Sequence, residues 1–75
     1  MKRPRYPMPA DVAEALKKRG VLAAYRERPP YQRNDYLGWI NRARKPETRV
    51  KRIEQMLDEL EHGGVYMKMD WRPQR

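Results

Sequence analysis

The chain has no cysteine, no serine and no phenylalanine, and only one histidine among its 75 residues. Without cysteine, no disulfide can staple a small domain and no thiolate can bind metal or attack a substrate. Without serine, the commonest hydroxyl nucleophile is missing. The lone His62 sits beside a glycine pair at a predicted helix end, and no set of His, Asp and Glu shows metal-ligand spacing. No glycine-rich loop follows a strand to cradle phosphate. No apolar run approaches the roughly 18 residues of a membrane span. The basic start Met1-Lys2-Arg3-Pro4-Arg5 is followed by no apolar segment of the signal-peptide kind. These absences predict a non-enzymatic protein with no cofactor and no metal site, soluble and cytoplasmic.

What is present is charge. Eighteen Lys and Arg stand against ten Asp and Glu, a net charge of +8. Such a surface attracts polyanions: acidic protein faces, nucleic acid or anionic lipid. The length allows one domain, burying only about 60–65% of the surface its unfolded chain exposes. Five tyrosines and two tryptophans supply the aromatic bulk, and such rings suit a thin core with their polar ends near water.

Residues 1–8 carry Pro4, Pro7, Lys2, Arg3 and Arg5 and predict an extended basic arm. Pro9 suits a first helical turn, Asp11 and Glu14 follow it, Lys17 to Arg19 crowd the far end, and Gly20 stops the helix. A second short helix runs to Arg28, where Pro29-Pro30 breaks the chain. Its brevity argues against a DNA-reading helix-turn-helix. Tyr36, Leu37, Trp39, Ile40 and Ala43 cover an arc of about 160° at 100° per residue, which predicts that the third helix is central. Pro46 starts a fourth helix with Val50, Ile53, Leu57 and Leu60 inside. The expected fold is therefore all-α, a small bundle of three to four helices at about 9–19, 21–28, 30–44 and 46–62. Its core is expected from Leu16, Leu22, Tyr25, Tyr36, Leu37, Trp39, Ile40, Val50, Ile53, Leu57 and Leu60. The domain would span 9–64. The tail, 65–75, is expected to lie extended and partly packed through Tyr66, Met67 or Trp71, since no partner strand is visible.

Around Pro46, the helical angles divide the basic residues. Arg49 lies beside the apolar stripe, so its stem should pack and its guanidinium seek Asp11 or Asp35. Arg42, Arg44, Lys45, Lys51 and Arg52, with Thr48, are left as an outward patch: either a solvated face or a contact for an anion or acidic partner. The outer side of the fourth helix runs from basic (Lys51, Arg52) to acidic (Asp58, Glu59, Glu61), which opposes the helix dipole. The acidic residues read as a solvated face, and a partner is one reason for the order. Basic residues flanking Tyr36 and Trp39 motivate nucleic-acid binding as the alternative. The arm's Lys2, Arg3 and Arg5 are the sole support for binding an anionic membrane.

The run Tyr36-Leu37, Trp39-Ile40, Ala43-Arg44-Lys45, Glu47-Thr48-Arg49, Arg52-Ile53 resembles the signature of the bacteriocin-protection, YdeI/OmpD-associated family. The Pro9, Ala15-Leu16 and Pro29 region is similar to the N-terminal part of that family's helical module, so the resemblance spans about 8–64. It implies a small all-α module with no catalytic residues and no established biochemical activity. The family names point to bacterial stress or bacteriocin protection and to association with an outer-membrane porin. The expected function is a non-enzymatic protein-interaction module with an unidentified protein partner.

Overall fold

The computed structural model describes residues 7–70. Four helices precede a hairpin: α1 (Ala10–Arg19), α2 (Leu22–Glu27), α3 (Pro30–Asn41), α4 (Pro46–His62), β1 (Val65–Tyr66) and β2 (Met69–Asp70). Most of the expected arm, with Tyr6, and the end of the tail, with Trp71, lie outside the described residues. The all-α expectation holds, with a two-strand addition.

Local chemistry sets the helix ends. Pro9 is extended, and its carbonyl accepts the Ala13 N–H at 3.0 Å. Gly20, at φ 75°, closes α1 in the left-handed region while the Val21 N–H reaches back to the Leu16 carbonyl at 3.1 Å. Pro29 and Pro30 end α2 and open α3. The third helix stops at Asn41 rather than near 44. The Ala43 N–H bonds the Ile40 carbonyl at 3.1 Å, a tightened last turn. Lys45 then adopts φ −107°, ψ 144°, the extended state that a following proline imposes.

The central helix is α4, not α3. It packs against α1, α2, α3 and β1, because its 17 residues make it the longest element and its inner stripe runs its full length. Val12 and Leu16 from α1, Val21 before α2, Tyr25 from α2, Tyr36, Leu37 and Ile40 from α3, and Ile53, Met56, Leu57 and Leu60 from α4 form one buried cluster. Val50 is an exception to the expected core, being 54% exposed. It lies about 60° to one side of Ile53 on the helical wheel, with Arg49 about 40° to the other. The end of α3 covers the Arg49 side, leaving the Val50 side to solvent. Leu22 and Trp39 are half-buried at the rim of the cluster, and Val12, Val21 and Met56 complete it.

The tail is a hairpin rather than a lone extended segment. Val65 pairs with Asp70 and Tyr66 with Met69, antiparallel, around a two-residue turn of Met67 (φ 50°) and Lys68 (φ 64°). Two consecutive left-handed residues match the twist of a hairpin, but Asn-Gly is the usual signal for such a turn. Met-Lys hides it, and two-residue strands are too short to show alternation. Tyr66 holds the hairpin to the bundle, its ring edge-on to Tyr31 at 6.0 Å and to Tyr36 at 5.4 Å. Its hydroxyl lies 2.8 Å from the Asp35 carboxylate, so Asp35 faces the hairpin and not away from it.

Because a left-handed L-residue costs about 1–2 kcal/mol, Lys68→Gly is expected to raise stability by about 0.5 kcal/mol after the extra chain entropy of glycine is subtracted. Lys68→Ala, which keeps a Cβ, should leave the urea midpoint nearly unchanged. A lower midpoint for the glycine variant would show that the turn is unstrained.

Candidate interaction surface

Three arginines are consumed by the fold, and a fourth, Arg52, is held by it along one edge. Arg19, at the end of α1, donates to Asp58 at 2.6 Å and also pairs with Glu61. The acidic end of α4 is therefore answered from within the chain, and the charge order along that helix calls for a partner only at its basic end. Arg49 meets Asp11 side-on, Nε to Oδ2 at 2.8 Å and Nη2 to Oδ1 at 3.0 Å, with Nη1 on Asn41 at 3.1 Å. The pairing of Arg49 follows its angle on the wheel, and of the two carboxylates considered it is Asp11. Chiefly through that hydrogen bond, and against partial burial, the Asp11 carboxyl is held below its ordinary value of 3.8.

Arg28 is buried, donating to the Gln32 amide oxygen and to the Glu59 carbonyl, both at 3.1 Å. Glu59, 5% exposed, does not belong to a solvated acidic face. One carboxylate oxygen accepts the Tyr36 hydroxyl and the Met67 N–H (2.8 Å); the other accepts the Lys68 N–H (2.9 Å) and the Gln55 amide (3.1 Å). Four donors fill its lone-pair positions. Burial, and then the Glu59 hydrogen bond, push the Tyr36 phenol above its ordinary value of 10.0. Glu59 thus clips the turn to the bundle and satisfies the two amides that the left-handed turn turns inward. Nothing in the linear pattern separates it from Asp58 and Glu61, and its burial depends on the hairpin that covers it.

The expected patch divides. Arg42, Arg44 and Lys45 occupy the link between α3 and α4, and Lys51 lies in the second turn of α4; all four are exposed. None of these four has an ion-pair partner among the described residues. Thr48 is half-buried. Arg52 is half-buried and leans on α3 rather than standing free: its Nη1 donates to the Trp39 carbonyl at 2.6 Å, and its guanidinium lies 5.3 Å from the Trp39 ring centroid. The reason is that α3 crosses the flank of α4 about a quarter turn from the apolar stripe, on the line of Arg52 and Glu59. Tyr36 is fully buried, so the aromatic pair that motivated nucleic-acid binding offers no free platform. No described helix is long and apolar enough to cross a membrane.

Among curated proteins and among solved structures nothing matches the chain. The family model OmdA, described as Bacteriocin-protection, YdeI or OmpD-Associated, matches residues 5–63. That stretch takes in all four helices and ends at the glycine that caps α4. It also contains the Trp39–Arg52 and Asp11–Arg49 contacts that join the Pro46 corner to the rest of the bundle. The match covers most of the chain, and the protein belongs to the bacteriocin-protection, YdeI or OmpD-associated family.

Proposed function

We propose that this protein is a non-enzymatic interaction module whose basic corner receives an acidic face of a protein partner. One observation carries the reading: Arg42, Arg44, Lys45 and Lys51 stand exposed and without an ion-pair partner among the described residues, while Arg19, Arg28 and Arg49 are engaged within the fold and Arg52 is held along one edge. Charges placed this way steer association and select partners of opposite sign. The non-enzymatic part is supported by the chemistry of the one buried carboxylate among the described residues. Glu59 has no lone pair left to take a proton from a substrate. Bacteriocin protection is the role that the family's name suggests, and we place it, with a part in bacterial stress, in the cytoplasm on the sequence alone.

The test is capture from the native cell, with and without nuclease, using the wild type and a variant carrying Arg42→Glu, Arg44→Glu, Lys45→Glu and Lys51→Glu. Expected are a protein partner retained after nuclease and lost on charge reversal. Retention by the reversed variant would remove the corner from the interface.

Nucleic acid is the second reading, favoured by the same unpaired corner and the net charge of +8. Four phosphate contacts would give log K falling with log salt at a slope of about −3 to −4. Binding absent at low salt, or a flat slope, ends that reading.

A further inference from the structure

We infer that Arg52 is the anchor of this corner, a guanidinium locked against Trp39 that presents its free side-on fork to a side-chain carboxylate of an acidic peptide segment. The inference rests on the corner being an interaction surface, and it adds which residue dominates and which group that residue takes.

The argument begins with the nitrogens. Nη1 is taken by the Trp39 carbonyl at 2.6 Å, and the guanidinium is stacked 5.3 Å from the indole centroid. Among the described residues Nε and Nη2 have no partner. They are not sealed off either, because the one buried unpartnered side-chain nitrogen among the described residues belongs to Arg33. The pair left over is the edge that Arg49 turns to Asp11, Nε to one oxygen at 2.8 Å and Nη2 to the other at 3.0 Å. The same fold therefore contains one satisfied side-on fork and one unsatisfied copy, three residues further along α4.

Arg52 is also pre-organised. A free surface arginine must lose its rotamer freedom when it binds, whereas Arg52 has already lost it to Trp39. Arg42, Arg44, Lys45 and Lys51 are exposed and carry no such restraint. They add long-range attraction, while the fixed planar fork adds geometric selectivity for a two-oxygen anion. Thr48 stands one turn before Arg52 on the same face and Lys45 two turns before it, so a carboxylate on the fork meets further polar and positive groups.

A protein carboxylate is favoured over nucleic acid for a specific reason. Single-stranded nucleic acid gains much of its affinity by stacking bases on exposed rings. Arg52 covers a face of Trp39, the ring is otherwise packed at the rim of the core, and Tyr36 is buried.

The experiment follows the Arg52 Nε–H resonance by NMR at low salt in the full, nitrogen-labelled chain. Three probes are titrated separately: a short peptide of alternating aspartate and glutamate, inorganic phosphate, and a single-stranded oligonucleotide of equal charge. The peptide is expected to move the Arg52 Nε–H saturably. Arg52→Lys, which keeps the charge but loses the fork, should weaken the peptide by about tenfold. Lys17→Met, on exposed α1 surface, should change it by less than about twofold. If the peptide shifts the amides of Arg42, Arg44, Lys45 and Lys51 but not the Arg52 Nε–H, the anchor is overturned and the corner stands. If no probe perturbs either, both fall. Equal or tighter binding of phosphate or oligonucleotide at Arg52 overturns the carboxylate assignment. The wild-type resonance decides the matter even if Arg52→Lys loosens the fold.

Discussion

Glu59→Ala is expected to cost about 3 kcal/mol of folding stability, read as a shift in the urea unfolding midpoint. The substitution removes both oxygens from four donors at once. The Tyr36 hydroxyl is left in a fully buried position, and an unsatisfied buried donor costs about 1–3 kcal/mol. Arg28, also buried, keeps its bond to the residue 59 carbonyl, so the loss falls on the four donors to the carboxylate. The turn amides of Met67 and Lys68 can recover water, but only if the hairpin lifts. A domain of this length has a total stability of about 4–11 kcal/mol at 0.05–0.15 kcal/mol per residue, so the loss is a large share of the whole. Glu59→Gln should cost less, since one amide oxygen still accepts, although its NH₂ then faces other donors. Amide exchange should show 65–70 opening first, before the helices. A midpoint change below about 1 kcal/mol with hairpin amides still protected would mean that the tyrosines, not the carboxylate, hold the tail.

A pair of aliphatic truncations separates the two sides of the corner. Ile40→Ala is expected to cost about 3 kcal/mol, within the range for deleting a buried isoleucine, because Ile40 is wholly buried between α3 and the central helix. Val50→Ala should change stability by less than about 0.5 kcal/mol, as surface substitutions do, since Val50 is 54% exposed. On the apolar pattern alone the two positions look alike. Comparable losses for both would mean that the Val50 flank of α4 is covered in solution, as in a dimer, which sedimentation of the two variants would show.

The contrast between Ile40 and Val50 shows where a linear pattern stops being informative. Helical angles identified Ile53, Leu57 and Leu60 because three consecutive turns agree, and an error of one residue cannot move all three off the stripe. Val50 sits at the end of that stripe, and burial there depends on which flank the preceding helix crosses. Arg49 was legible for the same angular reason: a long side chain beside apolar neighbours packs its stem and finds an acid. Arg52, about a quarter turn further round, read as outward because the position of α3 could not be deduced from spacing. Glu59 was hidden for a related cause. Its partners come from the turn, 8 and 9 residues ahead, and from Tyr36, 23 residues behind, so no local window contains them.

The Pro46 corner divides along the same line. Its existence follows from local rules: proline fixes the backbone before and at the start of α4, glycines end α1 and α4, and the density of arginine and lysine between α3 and α4 is plain composition. These are short-range effects, so the sequence by itself determined the helices, their order, most of the core stripe and the positive charge of the link. Tertiary structure decided which cations remain available. It placed Asp11 against Arg49, Trp39 under one edge of Arg52 and Arg19 against the acidic end of α4, leaving Arg42, Arg44, Lys45, Lys51 and the outer edge of Arg52 available. It also decided the hairpin, whose Met67-Lys68 turn has no favourable signal of its own and is held by Glu59, Tyr66 and Asp35 from distant helices. Contacts across such separations are set by how helices cross, and the crossing geometry is written in no single stretch of the chain.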